Sequence, residues 1–138
     1  MKIKSIDQFM AVFVAASVIL LSSCKKEEDE RVPPDLSFNM GVGYTFADKT
    51  VLVDDSVIIG AIATRKEDDL KSFNISVLYD GALAANYFTY FMTAAETGYY
   101  AKELRIKTRS QTGTEKWIFS VTDKDGNITQ KTITLTVQ

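Results

Sequence analysis

From Asp35 onward, apolar and polar residues alternate in short segments, and this period of two constrains the fold more than any other feature of the chain. Successive side chains of a β-strand point to opposite faces, so such segments predict strands with one buried face. The last segment alternates most cleanly, with Ile133, Leu135 and Val137 expected inward and threonines between them. Because residues that favour strands also dominate these segments, the sequence predicts an all-β domain.

Turn-forming residues separate the alternating segments. In chain order, these separators are Asp54-Asp55, 66–69, Asp80-Gly81 and 123–127. Residues 82–98 are ambiguous, because the first of them could begin a helix whereas 86–91 has the composition of a strand. With that strand included, about seven strands have the spacing typical of an immunoglobulin-like antiparallel β-sandwich. The Cys…Trp…Cys pattern of antibody domains is missing, so the prediction concerns the architecture alone.

The residue types that are absent from the sequence exclude several kinds of catalytic and metal-binding site. The 138 residues include no histidine, which excludes imidazole bases, Ser-His triads and histidine-ligated metals. The single cysteine, Cys24, excludes an intrachain disulfide and a cysteine-based zinc site. A net charge of −2 offers no basic stripe for phosphates. Nothing in the sequence places two carboxylates across a cleft, as glycoside hydrolysis would need. We therefore expect a protein that is not an enzyme and binds no nucleic acid.

The N-terminus has the organisation of a secretory signal. Lys2 and Lys4 provide positive charge, and 13 uncharged residues follow at positions 9–21. This run is shorter than the roughly 20 apolar residues that span a bilayer, and it has the length of a signal-peptide core. It ends in Leu21-Ser22-Ser23-Cys24, which resembles the lipobox of bacterial lipoproteins. That resemblance implies cleavage before Cys24 and a diacylglycerol on its thiol. The alternative is an ordinary signal peptide, or a buried helix, that contains a cysteine.

A charged segment follows the cysteine. Residues 25–31 are all charged, and Pro33-Pro34 stiffens the chain that follows them. This composition predicts a solvated spacer. The order Cys-Lys-Lys-Glu-Glu-Asp-Glu also resembles the lipoprotein export signal of Bacteroidetes. That resemblance implies an outer-membrane lipoprotein exposed at the cell surface, although acidic spacers also occur on periplasm-facing lipoproteins. The predicted division is a signal peptide at 1–23, a lipidated linker at 24–34 and a sandwich at 35–138.

Both ends of the predicted domain carry a second resemblance. The segments are Phe38-x-x-Gly41-x-Gly43-Tyr44-Thr45-x-x-Asp48-x-Thr50-Val51, shortly after Pro-Pro, and Val121-Thr122-Asp123-Lys124-x-Gly126-Asn127. With the threonine-rich last strand, they resemble small Ig-like lipoproteins that are common in Bacteroidetes. The resemblance covers most of residues 33–138 and consists of turn and strand features. It implies an Ig-like domain in the cell envelope, and it implies no particular chemistry.

Two acidic turns are the candidates for a metal site. Asp123, Asp125 and Asn127 alternate in a turn as in the first half of an EF-hand loop, and they could converge on calcium. The position of the bidentate acid in such a loop is Thr134, however, and Asp-Gly and Gly-Asn are also what a hairpin turn requires. The plain turn is therefore favoured. A second acidic run at 67–69 would strengthen the calcium hypothesis if it lay at the same end of the sandwich.

An aromatic segment is the candidate ligand site. Tyr87 and Phe91 alternate onto one face, and Phe88 and Tyr90 onto the other, so one pair could be exposed as a stacking platform for sugars. The favoured alternative is that both pairs are buried in the core.

These features together predict a membrane-anchored, non-catalytic lipoprotein whose Ig-like domain serves binding or adhesion, with a glycan or a protein as its ligand. No cofactor is expected apart from the lipid on Cys24. Calcium binding at 123–127 remains an alternative. The second hypothesis is a structural subunit that docks into a larger outer-membrane assembly. It predicts a flat apolar face or an open sheet edge.

Overall fold

A computed structural model of the chain describes residues 31–138. Eight strands follow one another, and the described residues contain no helix. The strands are β1 (Asp35–Phe38), β2 (Lys49–Val51), β3 (Ser56–Thr64), β4 (Leu70–Tyr79), β5 (Ala85–Phe91), β6 (Tyr99–Lys107), β7 (Gly113–Asp123) and β8 (Ile128–Val137). The all-β prediction is confirmed. In the ambiguous stretch at 82–98, residues 85–91 form strand β5 and the remaining residues form loops, with no helix.

The strands form two sheets. One sheet has the order β1-β3-β6, and the other has the order β2-β8-β7-β4-β5. Every pair is antiparallel except β2 with β8, which is parallel. The chain thus changes sheets between β1 and β2. This order is that of an immunoglobulin-like sandwich, which confirms the predicted architecture with one strand more than expected. The additional strand is the three-residue β2, which is too short to show a period of two.

The core lies between the two sheets, where apolar side chains from both inner faces meet. Its large, fully buried members include Phe73 and Ile75 of β4, Phe119 of β7, Ile133 and Leu135 of β8, and Leu36 and Ile59 of the smaller sheet. Phe119 contacts Phe38 edge-on, with the ring centroids 5.2 Å apart. The inward positions predicted for the last strand are confirmed, because Ile133, Leu135 and Val137 are all buried.

The loops cluster at the two ends of the sandwich. At one end, the Arg65 N–H donates to Gly98 O at 3.0 Å, and the Lys124 N–H donates to Asp69 O at 2.9 Å. The described chain enters the domain at this end, where the Thr129 hydroxyl donates to Pro34 O at 2.5 Å. The loops at 52–55, 80–84 and 108–112 form the opposite end. The two acidic runs predicted as metal candidates therefore lie at the same end.

Candidate functional site

β5 is the outermost strand of the five-stranded sheet, and none of its seven residues is charged. The Met92 N–H, just beyond β5, donates to Lys71 O at 3.0 Å. Hydrogen-bonded and non-bonded residue pairs alternate along an antiparallel ladder. The register of β4 with β5 therefore directs the N–H and C=O groups of Thr89 and Phe91 away from β4. We call this row of outward backbone groups, with the side chains beside it, the β5 edge.

Two of the four predicted aromatic residues face the opposite sheet. Phe88 and Tyr90 lie opposite Ile75 and Phe73 of β4, and both are half-buried against the core. Tyr90 stacks on Tyr100 of β6, with the ring centroids 4.9 Å apart. Lys102 of β6 places its ammonium 4.4 Å from the centre of the Phe88 ring. These contacts close the gap between β5 and β6 and leave the two rings unavailable as a flat platform.

The other two aromatic residues are exposed, but a β-bulge separates them. Ile75 pairs with Phe88, whereas Ser76 pairs with Asn86, so Tyr87 is the extra residue. Its ring contacts Trp117 edge-on at 5.0 Å and stays 51% exposed. Phe91 lies opposite Ser72 on the outer face and is 70% exposed. Strict alternation predicts Tyr87 and Phe91 on one face, and the bulge prevents that pairing.

A polar cluster on the outer face holds β5 against β4. The Asn74 side-chain amide donates to Asn86 Oδ1 at 2.6 Å and to Thr89 Oγ1 at 2.9 Å. The Thr89 hydroxyl donates in turn to Asn86 Oδ1 at 3.0 Å. These hydrogen bonds bridge the bulge, so the β5 edge has a defined backbone geometry.

The loop after β5 is fixed by one carboxylate. Glu96 Oε2 accepts hydrogen bonds from the Thr93 hydroxyl at 2.7 Å, the Thr93 N–H at 3.0 Å and the Tyr90 hydroxyl at 2.8 Å. The bonds from Thr93, with that from Tyr90, hold the pKa of Glu96 below its usual value. The pKa of Tyr90 is raised because its hydroxyl donates to this carboxylate. The ionised Glu96 therefore connects the loop to the aromatic stack at the end of β5.

The β5 edge differs from the other three sheet edges of the described domain. Strands β1 and β2 are only four and three residues long. The third edge strand, β6, carries four charged residues: Lys102, Glu103, Arg105 and Lys107. Short strands and charged side chains are the usual protection against edge-to-edge pairing. The β5 edge has neither and is protected only by its bulge, so it is the edge most open to another strand.

The acidic turn at 123–127 is held together by its own hydrogen bonds. Asp123 is 1% exposed, and both of its carboxylate oxygens accept from Asn127. Oδ1 accepts from the backbone N–H at 2.8 Å, and Oδ2 accepts from the side-chain amide at 3.0 Å. Gly126 has a positive φ of 88°, as the turn requires. Asp123 thus acts here as a turn-stabilising residue.

The second acidic run lies beside this turn. Asp69 accepts from the Lys124 ammonium at 2.6 Å and from Arg65 at 2.7 Å. The pKa of Asp68 is raised, chiefly by burial and then by the charges of Asp125, Asp123 and Asp69. The described residues contain no group of three or more acidic side chains placed to hold a metal ion. The calcium hypothesis for Asp123, Asp125 and Asn127 therefore stays a prediction.

The opposite end of the sandwich contains an ion-pair network that the sequence does not reveal. The Arg109 guanidinium donates to both carboxylate oxygens of Asp80, at 2.5 and 2.6 Å, and the Thr114 N–H donates to the same carboxylate at 2.8 Å. Arg109, and after it Thr114, lowers the pKa of Asp80 to about 2. The buried Glu115 accepts from the Arg109 N–H at 2.9 Å and from the Trp117 indole at 3.3 Å. Asp80-Gly81 is recognisable as a turn, but no local pattern identifies a partner 29 residues away.

Cys24, the predicted signal peptide and the linker up to residue 30 lie outside the described residues. Within residues 31–138, no helix is long and apolar enough to cross a membrane.

Comparisons with known proteins identify no family. No family model matches the chain, and no curated protein matches it. Among solved structures, murine CRIg is similar with 17% sequence identity over 78% of this chain and 99% of that chain, at a TM-score of 0.45. A chain from a structure on T cell specificity and activation by the bacterial superantigen toxic shock syndrome toxin-1 is similar with 12% identity over 76% and 99%, at a TM-score of 0.46. The fold assignment therefore rests on the strand order itself.

Proposed function

We propose that the chain is a membrane-anchored, non-catalytic binding protein whose β5 edge pairs with an extended strand of a partner protein. The observation that carries this proposal is the β5 edge itself: a seven-residue outermost strand with no charged residue. An extended peptide can add to such an edge, because main-chain hydrogen bonds supply affinity and the neighbouring side chains supply specificity.

The side chains of the β5 edge suit a protein partner. Phe91 and Tyr87 expose large apolar surfaces on either side of the outward backbone groups of Thr89. An added strand would cover the Phe91 ring while it pairs with the backbone, whereas the Tyr87 ring leans across β4 toward Trp117. Aromatic residues of this kind contribute strongly at protein interfaces. A glycan is a poorer match at this edge. The rings of Phe88 and Tyr90 stack with each other and with Tyr100, so they do not present free faces on which a sugar could pack.

The anchoring part of the proposal rests on the sequence. Leu21-Ser22-Ser23-Cys24 supplies a lipidation site, and residues 24–34 supply a charged linker. Eleven extended residues reach roughly 35–40 Å, so the domain could stand clear of the membrane surface. We place the protein at the outer membrane, exposed at the cell surface, because of the charged order after Cys24. The non-catalytic part rests on the absence of histidine and on the single cysteine.

The same edge also favours the second hypothesis, that the chain is a structural subunit docking into an outer-membrane assembly. An open strand edge is what that role predicts. The two roles differ in the partner: a subunit of an assembly remains bound during purification in detergent, whereas a ligand of an adhesion protein comes from outside the cell.

Photo-crosslinking in cells tests whether a protein occupies the β5 edge. The full chain would carry the photoreactive amino acid p-benzoylphenylalanine at Phe91 or, as a control, at Ile128. Both side chains are exposed and apolar, but Ile128 begins β8, away from the β5 edge. We expect a discrete protein adduct from position 91 and none from position 128. The absence of an adduct at 91, or the same adduct at both positions, would contradict the proposal.

A matched pair of variants tests the backbone pairing directly. Thr89→Pro removes an N–H that points away from β4, so it blocks an added strand without breaking the existing ladder. Thr89→Ala removes the same hydroxyl but keeps the N–H. We expect Thr89→Pro to abolish the adduct from position 91 and Thr89→Ala to retain it. Equal adduct yields in the two variants would show that the edge is not used for strand addition.

A further inference from the structure

A shallow depression of about 280 Å³ lies on the outer face of the three-stranded sheet, away from the core. Its floor is made of Gly60 and Ile62 of β3 and Ala101 of β6. Tyrosine rings border it on two sides, Tyr44 from the loop after β1 and Tyr99 from the start of β6. We call this feature the Tyr44–Tyr99 depression. It lies on the other sheet from the β5 edge and goes beyond the function proposed for that edge.

The segment after β1 pairs with β3 at Asn39 and again at Thr45, and the loop between these two residues places Tyr44 over the sheet. The Asn39 N–H donates to Gly60 O at 2.8 Å, and the Thr45 N–H donates to Ile58 O at 2.7 Å, with the intervening residues looped out. The Tyr44 ring lies so close to Gly60 that an added Cβ there would be 3.0 Å from its Cε1. The Tyr44 hydroxyl donates to Glu103 Oε2 at 2.8 Å. The ring is therefore fixed at both ends.

Polar groups border the same depression. Glu103 Oε2 accepts from Tyr44, and Oε1 lies 2.8 Å from the Arg105 guanidinium. The hydrogen bond from Tyr44 keeps the pKa of Glu103 below its usual value, so the group stays a carboxylate near neutral pH. Each carboxylate oxygen can accept a second hydrogen bond. Asn39 accepts from the Gly41 N–H through Oδ1 at 2.9 Å, and its amide hydrogens are donors. An acceptor and a donor thus lie beside the aromatic walls.

This combination matches a sugar ring. A pyranose presents an apolar C–H face, which packs on an aromatic ring, and a rim of hydroxyl groups, which both donate and accept hydrogen bonds. Tyr99 is 56% exposed and offers its ring for this packing, while the small side chain of Ala101 leaves room beside it. Binding sites commonly join an apolar surface with a few convergent polar groups in this way. We propose that the Tyr44–Tyr99 depression binds a neutral hexopyranose unit, with Glu103 and Asn39 as its hydrogen-bond partners.

Binding of defined saccharides tests this site. The full chain, purified in detergent micelles, would be applied to an array of neutral mono- and oligosaccharides, and the affinity for each retained sugar would be measured by isothermal titration calorimetry. Ala101→Trp fills the depression, and Tyr99→Ala removes one wall at an exposed position. Ile128→Ala, in β8 of the other sheet, is the control. Thermal unfolding of each variant reports whether the domain is intact.

We expect at least one neutral saccharide to bind, and we expect Ala101→Trp to abolish that binding. Tyr99→Ala should weaken it by about tenfold, which corresponds to about 1.4 kcal/mol of lost ring contact. Ile128→Ala should change the affinity by less than about twofold, because Ile128 lies outside the depression. Retention of no neutral saccharide would overturn the proposal. So would an affinity that Ala101→Trp and Tyr99→Ala both leave unchanged in folded protein.

Discussion

Gly113 is the position where one added methyl group should disturb the domain most. It begins β7 with a φ of 143°, a conformation that L side chains rarely adopt. A Cβ built there would overlap with Arg109 Nη2 and with Asp80 Oδ1. The backbone of Gly113 thus lies directly under the ion pair that joins the β4–β5 turn to the loop before β7. Gly113→Ala must either strain the backbone and displace this pair, or shift the start of β7.

The magnitude follows from these two effects. A side chain held at such a backbone conformation costs about 1–3 kcal/mol. Displacement of Arg109 from Asp80 adds to that cost, because the bidentate contact cannot form around the new methyl group. For a domain of this size, 1 kcal/mol corresponds to about 4–8 °C in Tm. We therefore expect Gly113→Ala to lower the Tm by at least about 4 °C.

Thermal unfolding, followed by circular dichroism, measures this shift. Gly43→Ala is the matched control, because Gly43 also has a positive φ, 90°, but a Cβ there would meet no atom within 4 Å. It reports the cost of backbone strain alone. We expect Gly113→Ala to lower the Tm clearly more than Gly43→Ala does. Equal shifts for the two variants would refute the idea that the ion pair occupies the space over Gly113.

Three further outcomes are expected. The pKa of Asp80 is about 2 in the folded protein and near 3.8 without its partners, so the stability from this group is full above 3.8 and is lost as the pH falls toward about 2. Urea unfolding at a series of acidic pH values should show that loss, and Asp80→Asn should make the decline shallower over this range. Cys24→Ser should block lipidation and processing, so a Cys24→Ser precursor that is still labelled by radioactive palmitate would refute the anchor. Asp123→Ala should destabilise the domain by about 1–3 kcal/mol, because it leaves the half-buried N–H and side-chain amide of Asn127 without their acceptors. This loss should be the same with calcium and with a chelator if Asp123 serves the turn alone, whereas a calcium-dependent Tm that Asp123→Ala abolishes would establish a metal site.

The parts of the fold that the sequence predicts are those with one buried face. In the second half of β8, from Thr132 to Val137, buried and outward positions alternate without interruption, so Ile133, Leu135 and Val137 are recognisable as core residues from their spacing. The same rule fails in β5, because the bulge at Tyr87 adds one residue and moves the ring toward Trp117. A bulge changes the register without changing the composition, so the pattern 86–91 carries no sign of it.

The candidate sites depend on contacts between distant residues, which local patterns do not contain. Tyr44 and Glu103 are 59 positions apart, and their hydrogen bond becomes visible only when β3 and β6 are paired. Gly60 is a similar case. A glycine within a strand indicates that another group packs closely against the backbone, but the sequence does not identify that group as Tyr44. The composition did identify the aromatic segment at 86–91. Its position at a sheet edge follows from the strand order and could not be obtained from the segment itself.

The position of β8 has a consequence for how the domain is made. β8 is the last strand of the domain to be synthesised, yet it lies between β7 and β2 and pairs with both. While the chain is still being synthesised, β2 has no partner in its sheet and one edge of β7 is uncovered. The larger sheet can therefore close only after residues 128–137 have been synthesised. Pairing between such distant segments is also a slow step in folding.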